Sequence, residues 1–262
     1  MFFVPLYSGS SGNCSLVCSD SGTRILVDAG LSATTIKNAL LKCRISPESI
    51  SAIVITHEHS DHIKGAGILS KQLDIPIYAN AAAWEKMQGV RDRIRDKNIR
   101  VFETNKDFFI SDIGVFPFPI PHDTADPVGF SFFADGRKLS VATDIGHTTQ
   151  EIEDILAGSD MLLIESNHDE HMVQTGRYPV YLQKRILGNN GHLSNTACGR
   201  LLVKLHEAGV NRAILGHLSQ ENNTEELALQ TVASILRSAD ITETNMQLRI
   251  AHRDRICGMF EV

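Results

Sequence analysis

The sequence predicts an α/β (α+β) protein, a four-layer αββα sandwich formed as one domain over residues 1–262. Two observations carry that prediction. Short apolar and β-branched runs, punctuated by glycine, recur in both halves of the chain and alternate with helical patterns, as sheets covered by helices do. No low-complexity linker separates them, and 262 residues with 42% hydrophobic and 21% charged side chains can bury a sizeable core.

The elements follow in order. FFVPLY reads as a first strand, because it lacks the basic flank, the length and the cleavage pattern of a secretory leader. The turn SGSSGN leads to the strand CSLVCS and then to TRILVDAG, a strand closing on Asp28. Ser32 is a natural N-cap for a helix to about Lys42, whose Ile36, Leu40 and Leu41 fall on one side. A strand at Ser51–Thr56, a glycine-tolerant helix at about Lys64–Lys71, a strand at Pro76–Ala79 and a helix at about Ala81–Gln88 come next. Strands are expected at Arg100–Phe102, Phe108–Ile110, Val115–Phe118, Gly129–Ala134 and Lys138–Ala142. The second half sets helices at Thr149–Leu156, Tyr178–Leu187, Asn195–Glu207 and Thr224–Arg237 around strands at Met161–Glu165, Arg212–Leu215, Met246–Ala251 and Arg255–Phe260. ILVDAG and LSVATDIG each read as a strand, an Asp and a small-residue turn, a hint of duplicated halves.

Composition narrows the function. A net charge of −6 argues against a protein that coats nucleic acid or anionic membrane through bulk electrostatics, so a polyanion has to be gripped locally. The mixed-sign run RDRIRDK (Arg91–Lys97) reads as solvated surface. Five scattered cysteines (Cys14, Cys18, Cys43, Cys198, Cys257) without a CxxC pair give neither a disulfide framework nor a structural thiolate zinc site. A reducing, cytoplasmic setting is expected, and no stretch approaches a membrane span.

The chemistry is concentrated in VITHEHSDHIKGAG (Val54–Gly67), where three histidines and two acids fall within six positions directly after a strand. An extended loop puts alternate residues on one side, so His57, His59 and Asp61 can converge, with His62 coming round in the next turn. A solvated polar loop is the plain alternative. The functional one is a metal site with two metals' worth of ligands: imidazole and carboxylate without thiolate suit Zn²⁺, Mn²⁺ or Fe²⁺. Gly65 and Gly67 let backbone pass close to such a site.

THEHSDH matches the HxHxDH signature of the metallo-β-lactamase superfamily, placed as in that family after a strand and after VDAG, and the chain resembles the superfamily over most of its length. The resemblance implies further ligands: His122 of PIPHDTADPVGF, Asp144 of SVATDIG and His217 of AILGHLS. It implies His57, His59 and His122 for one ion and Asp61, His62 and His217 for the other, with Asp144 bridging and a shared metal hydroxide attacking phosphorus. Taken singly, His122 also reads as a loop histidine, Asp144 as a turn former and His217 as a core or cap residue. Asp28 of VDAG is expected as a supporting or turn carboxylate, and His206 and His252 as structural or surface residues.

The SGSSGNC loop, DMLLIESNHDEHM, GRYPVYLQKRILGNNGHLSN and AILGHLSQENN are similar to the bacterial WalJ (YycJ) type of this superfamily, and the same layout resembles its tRNA 3′-processing branch. That resemblance implies a Glu165–His192 pair in which the carboxylate orients an imidazolium toward the phosphorane or the leaving oxygen. Ser10, Ser11 and Asn13 either approach a substrate phosphate or form a plain hairpin turn. Lys184 and Arg185 either meet phosphates or belong to a charged helix face. His168 and His171, three apart, read as a solvated helix start or a facing pair, and His147 is left unassigned. Cys14 and Cys18 share a strand face.

The leading reading is therefore a dinuclear metal phosphodiesterase acting on nucleic acid, DNA favoured, working 5′ to 3′ as an exonuclease by resemblance. RNA or cyclic phosphodiester hydrolysis lies within the same class. A thioester or lactam hydrolase and a non-catalytic metal-binding module are the alternatives from other classes.

Overall fold

The computed structural model describes all 262 residues. The first half runs β1 (Phe2–Tyr7), β2 (Cys14–Cys18), β3 (Arg24–Val27), α1 (Ala33–Lys42), β4 (Ala52–Val54), α2 (Ser60–Ile63), α3 (Ala66–Leu73), β5 (Ile77–Asn80), α4 (Ala81–Lys86), α5 (Gln88–Arg91) and β6 (Ile99–Phe102). The second runs β7 (Phe108–Ile110), β8 (Ile113–Pro119), β9 (Val128–Ala134), β10 (Arg137–Ala142), α6 (Gln150–Leu156), β11 (Met161–Glu165), α7 (Glu170–Thr175), α8 (Val180–Ile186), α9 (Asn195–Glu207), β12 (Arg212–Gly216), α10 (Glu225–Ser238), β13 (Gln247–Ile250) and β14 (Phe260–Glu261).

Two seven-stranded mixed sheets result, ordered β14-β1-β2-β3-β4-β5-β6 and β13-β12-β11-β10-β9-β8-β7. Each is antiparallel on one side and parallel on the other. The change falls at β3, antiparallel to β2 and parallel to β4, and at β10, antiparallel to β9 and parallel to β11. These are the strands of ILVDAG and LSVATDIG, so the short sequence likeness marks equivalent places in two sheets of the same plan.

Period-two alternation sorts side chains into layers. Ile25 and Val27 of β3 and Val54 of β4 enter the core between the sheets with Phe3, Phe130 and Val141. Leu26 and Ile53, one position out of phase, meet Ile36, Leu40 and Leu69 of the helices on the other face. In the second sheet Leu162, Ile164 and Leu215 face Leu201, Leu205 and Val232 of α9 and α10. Three apolar layers between four structural ones make the αββα sandwich. A fully buried side chain such as Phe130 contributes about 1.5–3 kcal/mol to holding the sheets together.

Helix starts follow their caps: Ser32, Thr149, Ser194 and Thr224 each accept an N–H from three residues on. Three expectations need correction. The strand expected at Arg255–Phe260 pairs only at Phe260–Glu261, because the chain crosses the β1 end, with Ser8 N–H donating to His252 O and Cys257 N–H to Pro5 O. The helix expected at Ala81–Gln88 breaks at Met87. The helix near His168 starts only at Glu170, capped by the Asp169 side chain, so His168 precedes it and is 1% exposed rather than solvated.

Candidate metal centre

Loops at the strand ends of both sheets bring their polar side chains together. From the first sheet, the turn after β3 brings Asp28 and the loop after β4 brings His57, His59, Asp61 and His62; from the second, the strand-end segments after β8, β10 and β12 bring His122, Asp144 and His217. Ligand atoms of His57, His59 and His122 lie within 4.8 Å of one another, as do those of Asp61, His62 and His217. Asp144 sits between the groups, Oδ2 3.4 Å from His62 Nε2 and Oδ1 3.7 Å from His122 Nε2.

The backbone is shaped to allow this. Asp28, Asp144 and His217 all adopt left-handed φ, at 61°, 62° and 55°. For residues with a Cβ this conformation costs about 1–3 kcal/mol each and persists only where surroundings impose it. Here each one turns a side chain off a strand end into the centre. At Gly30 a Cβ would lie 1.6 Å from Asp61 O, and at Gly65 2.2 Å from Leu31 O, so only glycine lets the VDAG turn touch the histidine loop.

His57, His62, His122 and His217 each bond a protein partner through one ring nitrogen and turn the other inward. His62 Nδ1–H donates to Asp28 Oδ2 at 2.7 Å and His217 Nδ1–H to Glu165 Oε1 at 2.8 Å. His122 Nδ1–H donates to Gly191 O at 3.1 Å, and His57 Nδ1 meets Thr56 Oγ1 at 2.9 Å. Thr56 Oγ1 in turn donates to Asp28. Such outer bonds set the tautomer and aim of a metal-binding imidazole. The inward His217 Nε2 and Asp144 Oδ2 are buried with no hydrogen-bond partner.

The electrostatics agree. Burial opposes charge on His62, yet Asp28 and Asp144 carry its pKa up to about 10, and Asp144 and Asp61 raise His217 well above the ordinary range. His57, buried among other imidazoles, is held well below it. Burial would raise Asp61, but the neighbouring His217 and His62 imidazoles hold it far below the usual carboxylate range. The carboxylates demand positive charge at their centre, and a divalent cation on this nitrogen and oxygen set meets that demand. The residues present fit a metal.

Glu165 ends β11 fully buried, with four donors on two oxygens. Oε1 accepts from His192 Nδ1–H at 2.9 Å as well as from His217; Oε2 accepts Ile145 N–H at 2.7 Å and Leu193 N–H at 3.1 Å. Burial raises its pKa, but the two histidines hold it well below the usual carboxylate range. His192, though buried enough to disfavour charge, is raised by Glu165 and Asp144. It lines a cleft of about 230 Å³ with His59, Asp61, His122, Asp144 and His217.

Among the softer candidates, Ser10 and Arg185 line the cleft, and Arg185 Nε donates to Asp123. Ser11, in the turn closed by the Gly12 N–H to Gly9 O bond, is exposed and lies outside the cleft lining. Asn13 is buried on the ligand-facing side of the histidine loop: its Oδ1 accepts Gly9 N–H at 2.9 Å, and its Nδ2 lies 3.0 Å from His62 Nε2 and 3.4 Å from Asp61 Oδ2. His147 is exposed and bonds Asn189 O, and His171 is exposed. His252 pairs with Glu225 and is not part of the cleft lining. Sequence reasoning missed the role of Thr56, whose only signal was its place directly before His57, and that Tyr178 and Leu182, within the quoted GRYPVYLQKRILGNNGHLSN stretch, line the cleft.

The family described as "Beta-lactamase superfamily domain" matches residues 23–218. "Exodeoxyribonuclease YycJ" of Bacillus anthracis is 35% identical over 236 residues, 90% of this chain and 89% of that protein. "Exodeoxyribonuclease WalJ" of Streptococcus pneumoniae serotype 2 is 37% identical over 238 residues, 90% and 88%. The crystal structure of Zn(2+)-bound PqqB from Methylobacterium extorquens covers all of both chains with a TM-score of 0.75 at 17% identity, a likeness of fold. No helix of the chain is long and apolar enough to cross a membrane. The chain belongs to the beta-lactamase superfamily and is a metal-dependent hydrolase of the metallo-β-lactamase fold.

Proposed function

We propose that the protein is a dinuclear nuclease that removes nucleotides from DNA, working 5′ to 3′. The observation that carries it is the Glu165-held His192 facing a cleft lined by the candidate ligands. The names of the YycJ and WalJ relatives support DNA as substrate. His57, His59 and His122 would hold one ion and Asp61, His62 and His217 the other, with the Asp144 carboxylate lying between the two groups. Zn²⁺, Mn²⁺ and Fe²⁺ all suit this donor set. Two such ions, when bound, supply a hydroxide nucleophile at neutral pH and positive charge for phosphoryl oxygens.

The chain's own residues do the rest. Glu165 accepts His192 Nδ1–H and favours the imidazolium, whose Nε2–H donates to a phosphoryl oxygen or to the departing sugar oxygen. Asp28 and Thr56 keep the His57 and His62 rings aimed. Ser10 and Arg185 border the substrate. A thioester or lactam hydrolase has no use for a positioned acid at a sugar leaving group, which sets the phosphodiesterase reading above it. The test is hydrolysis of end-labelled single- and double-stranded DNA and RNA beside bis-p-nitrophenyl phosphate and a thioester, with metal reconstituted. Mononucleotide release from the 5′ end of DNA is expected; thioester turnover without phosphodiester turnover overturns the reading.

A further inference from the structure

The acidic chain hides a long segment of opposite character. From His171 to His206 there are five basic residues (Arg177, Lys184, Arg185, Arg200, Lys204) and no acidic one, so all 31 acids and only 20 of the 25 bases lie in the remaining 226 residues. Lys204 pairs with Glu153 and Arg185 with Asp123, while Arg177, Lys184 and Arg200 make no ion pair. At the middle of this segment stands α8, a helix with no buried residue.

Its two faces differ. Leu182, Arg185 and Ile186, at helical spacing, line the catalytic cleft, as does Tyr178 just before the helix. The outer row is Val180 (64% exposed), Tyr181 (74%) and Leu187 (40%), with Lys184 exposed among them. The helix is fastened to the catalytic histidine, since Ile186 O accepts His192 N–H at 3.1 Å. A chain leaving the cleft past Arg185 therefore meets apolar and aromatic surface studded with uncompensated positive charge.

Resting on the nuclease reading, we propose that the Arg177–Leu187 segment is a ledge for unpaired nucleotides, with a base stacked on Tyr181 and backbone phosphates met by Arg177 and Lys184. Charge complementarity favours a polyanion over a second copy of this acidic chain. The aromatic and aliphatic exposure favours a single strand: its base faces are open to stack, whereas a duplex offers a protein mainly phosphates and groove edges. Seven helical residues span about 10 Å, the length of roughly three stacked nucleotides. Binding should strengthen as the strand lengthens by about that number beyond the scissile bond, then level off.

The experiment uses Tyr181→Ala, Tyr181→Phe and Lys184→Ala in the full-length metal-loaded protein. It reads single-strand and blunt-duplex binding by fluorescence anisotropy, and kcat/KM for an oligonucleotide relative to that for bis-p-nitrophenyl phosphate. Tyr181→Ala should weaken single-strand binding about 10-fold, the usual loss of one stacked base, while Tyr181→Phe retains it. Lys184→Ala should reduce the slope of log affinity against log salt by about 0.7. Wild-type affinity in Tyr181→Ala, equal loss on blunt duplex, or a dimer that dissociates on this substitution without change in DNA binding overturns the ledge. Wild-type protein that cleaves no DNA overturns the nuclease reading instead, and the two failures are distinct.

Discussion

Replacing Glu165 by Gln should injure two functions at once, and replacing His192 by Ala only one. A glutamine has the same shape but one NH₂ where the carboxylate has oxygen. If that group takes the Oε1 position it faces the ring N–H groups of His192 and His217; at Oε2 it faces the N–H groups of Ile145 and Leu193. Either orientation leaves two buried donors without an acceptor, at about 1–3 kcal/mol each, so a loss of roughly 2–6 kcal/mol in folding stability is expected. Loss of the acceptor behind His217 should also weaken metal binding about 10–100-fold, the usual effect of removing a ligand's outer partner. His192→Ala should leave both ions bound and lower turnover about 10²–10⁴-fold, as for other positioned acids and bases. In the double variant at saturating metal, the turnover losses should fall well short of additive, while the metal-affinity loss of Glu165→Gln persists in full. Chelator competition gives the affinities, urea unfolding the stability, and single-turnover cleavage the chemical step. Wild-type metal affinity in Glu165→Gln, or fully additive turnover losses, would refute the shared-carboxylate reasoning.

Asp61→Ala should lose at least one of two ions while staying folded, as read by elemental analysis after reconstitution; no change in metal content removes Asp61 from the ligand set. Asp144→Asn should sharply reduce turnover at matched metal occupancy, because an amide cannot bridge two ions as a carboxylate does. Saturating an ion to 100 times its Kd should stabilise the fold by about 2.7 kcal/mol, visible as a Tm that falls on chelation. Burial lowers the pKa of His168 to about 4, below the 6.5 of an unperturbed imidazole. The unfolded chain therefore binds its proton first as pH falls, and stability should drop between about pH 6.5 and 4 by up to roughly 3 kcal/mol. His168→Leu should flatten that limb in urea titrations, and an unchanged slope would show that other groups account for it.

Fold and ligands were legible in the sequence because both depend on local pattern. Met161–Glu165 and Asn195–Glu207 match their elements residue for residue, since uninterrupted apolar runs and a Ser194 cap leave little choice. The histidine loop was legible because its ligands are adjacent. What escaped was set by tertiary neighbours. Nothing near Asn13 reveals that its side-chain amide sits 3.0 Å from His62 Nε2, 49 residues away. His168 reads as a polar helix start until the Asn195 N–H to His168 O bond draws it inside. That one Glu165 oxygen serves two histidines, 27 and 52 residues distant, is written in no local spacing.

The distribution of the centre over two sheets gives those long-range contacts their meaning. Asp28 and the His57–His62 loop hang from the first sheet, His122, Asp144, Glu165, His192 and His217 from the second, and no proposed ion is held by one sheet alone once Asp144 is counted as the bridge. Asp28 and Asp144 occupy matching places, just after the strand where each sheet changes from antiparallel to parallel, and both are bent into left-handed φ there. Packing the two sheets through Phe130, Val141, Val27 and Val54 brings these strand ends together. The apolar core between the sheets thereby sets the spacing of the ligands, so its packing is part of what positions the catalytic groups.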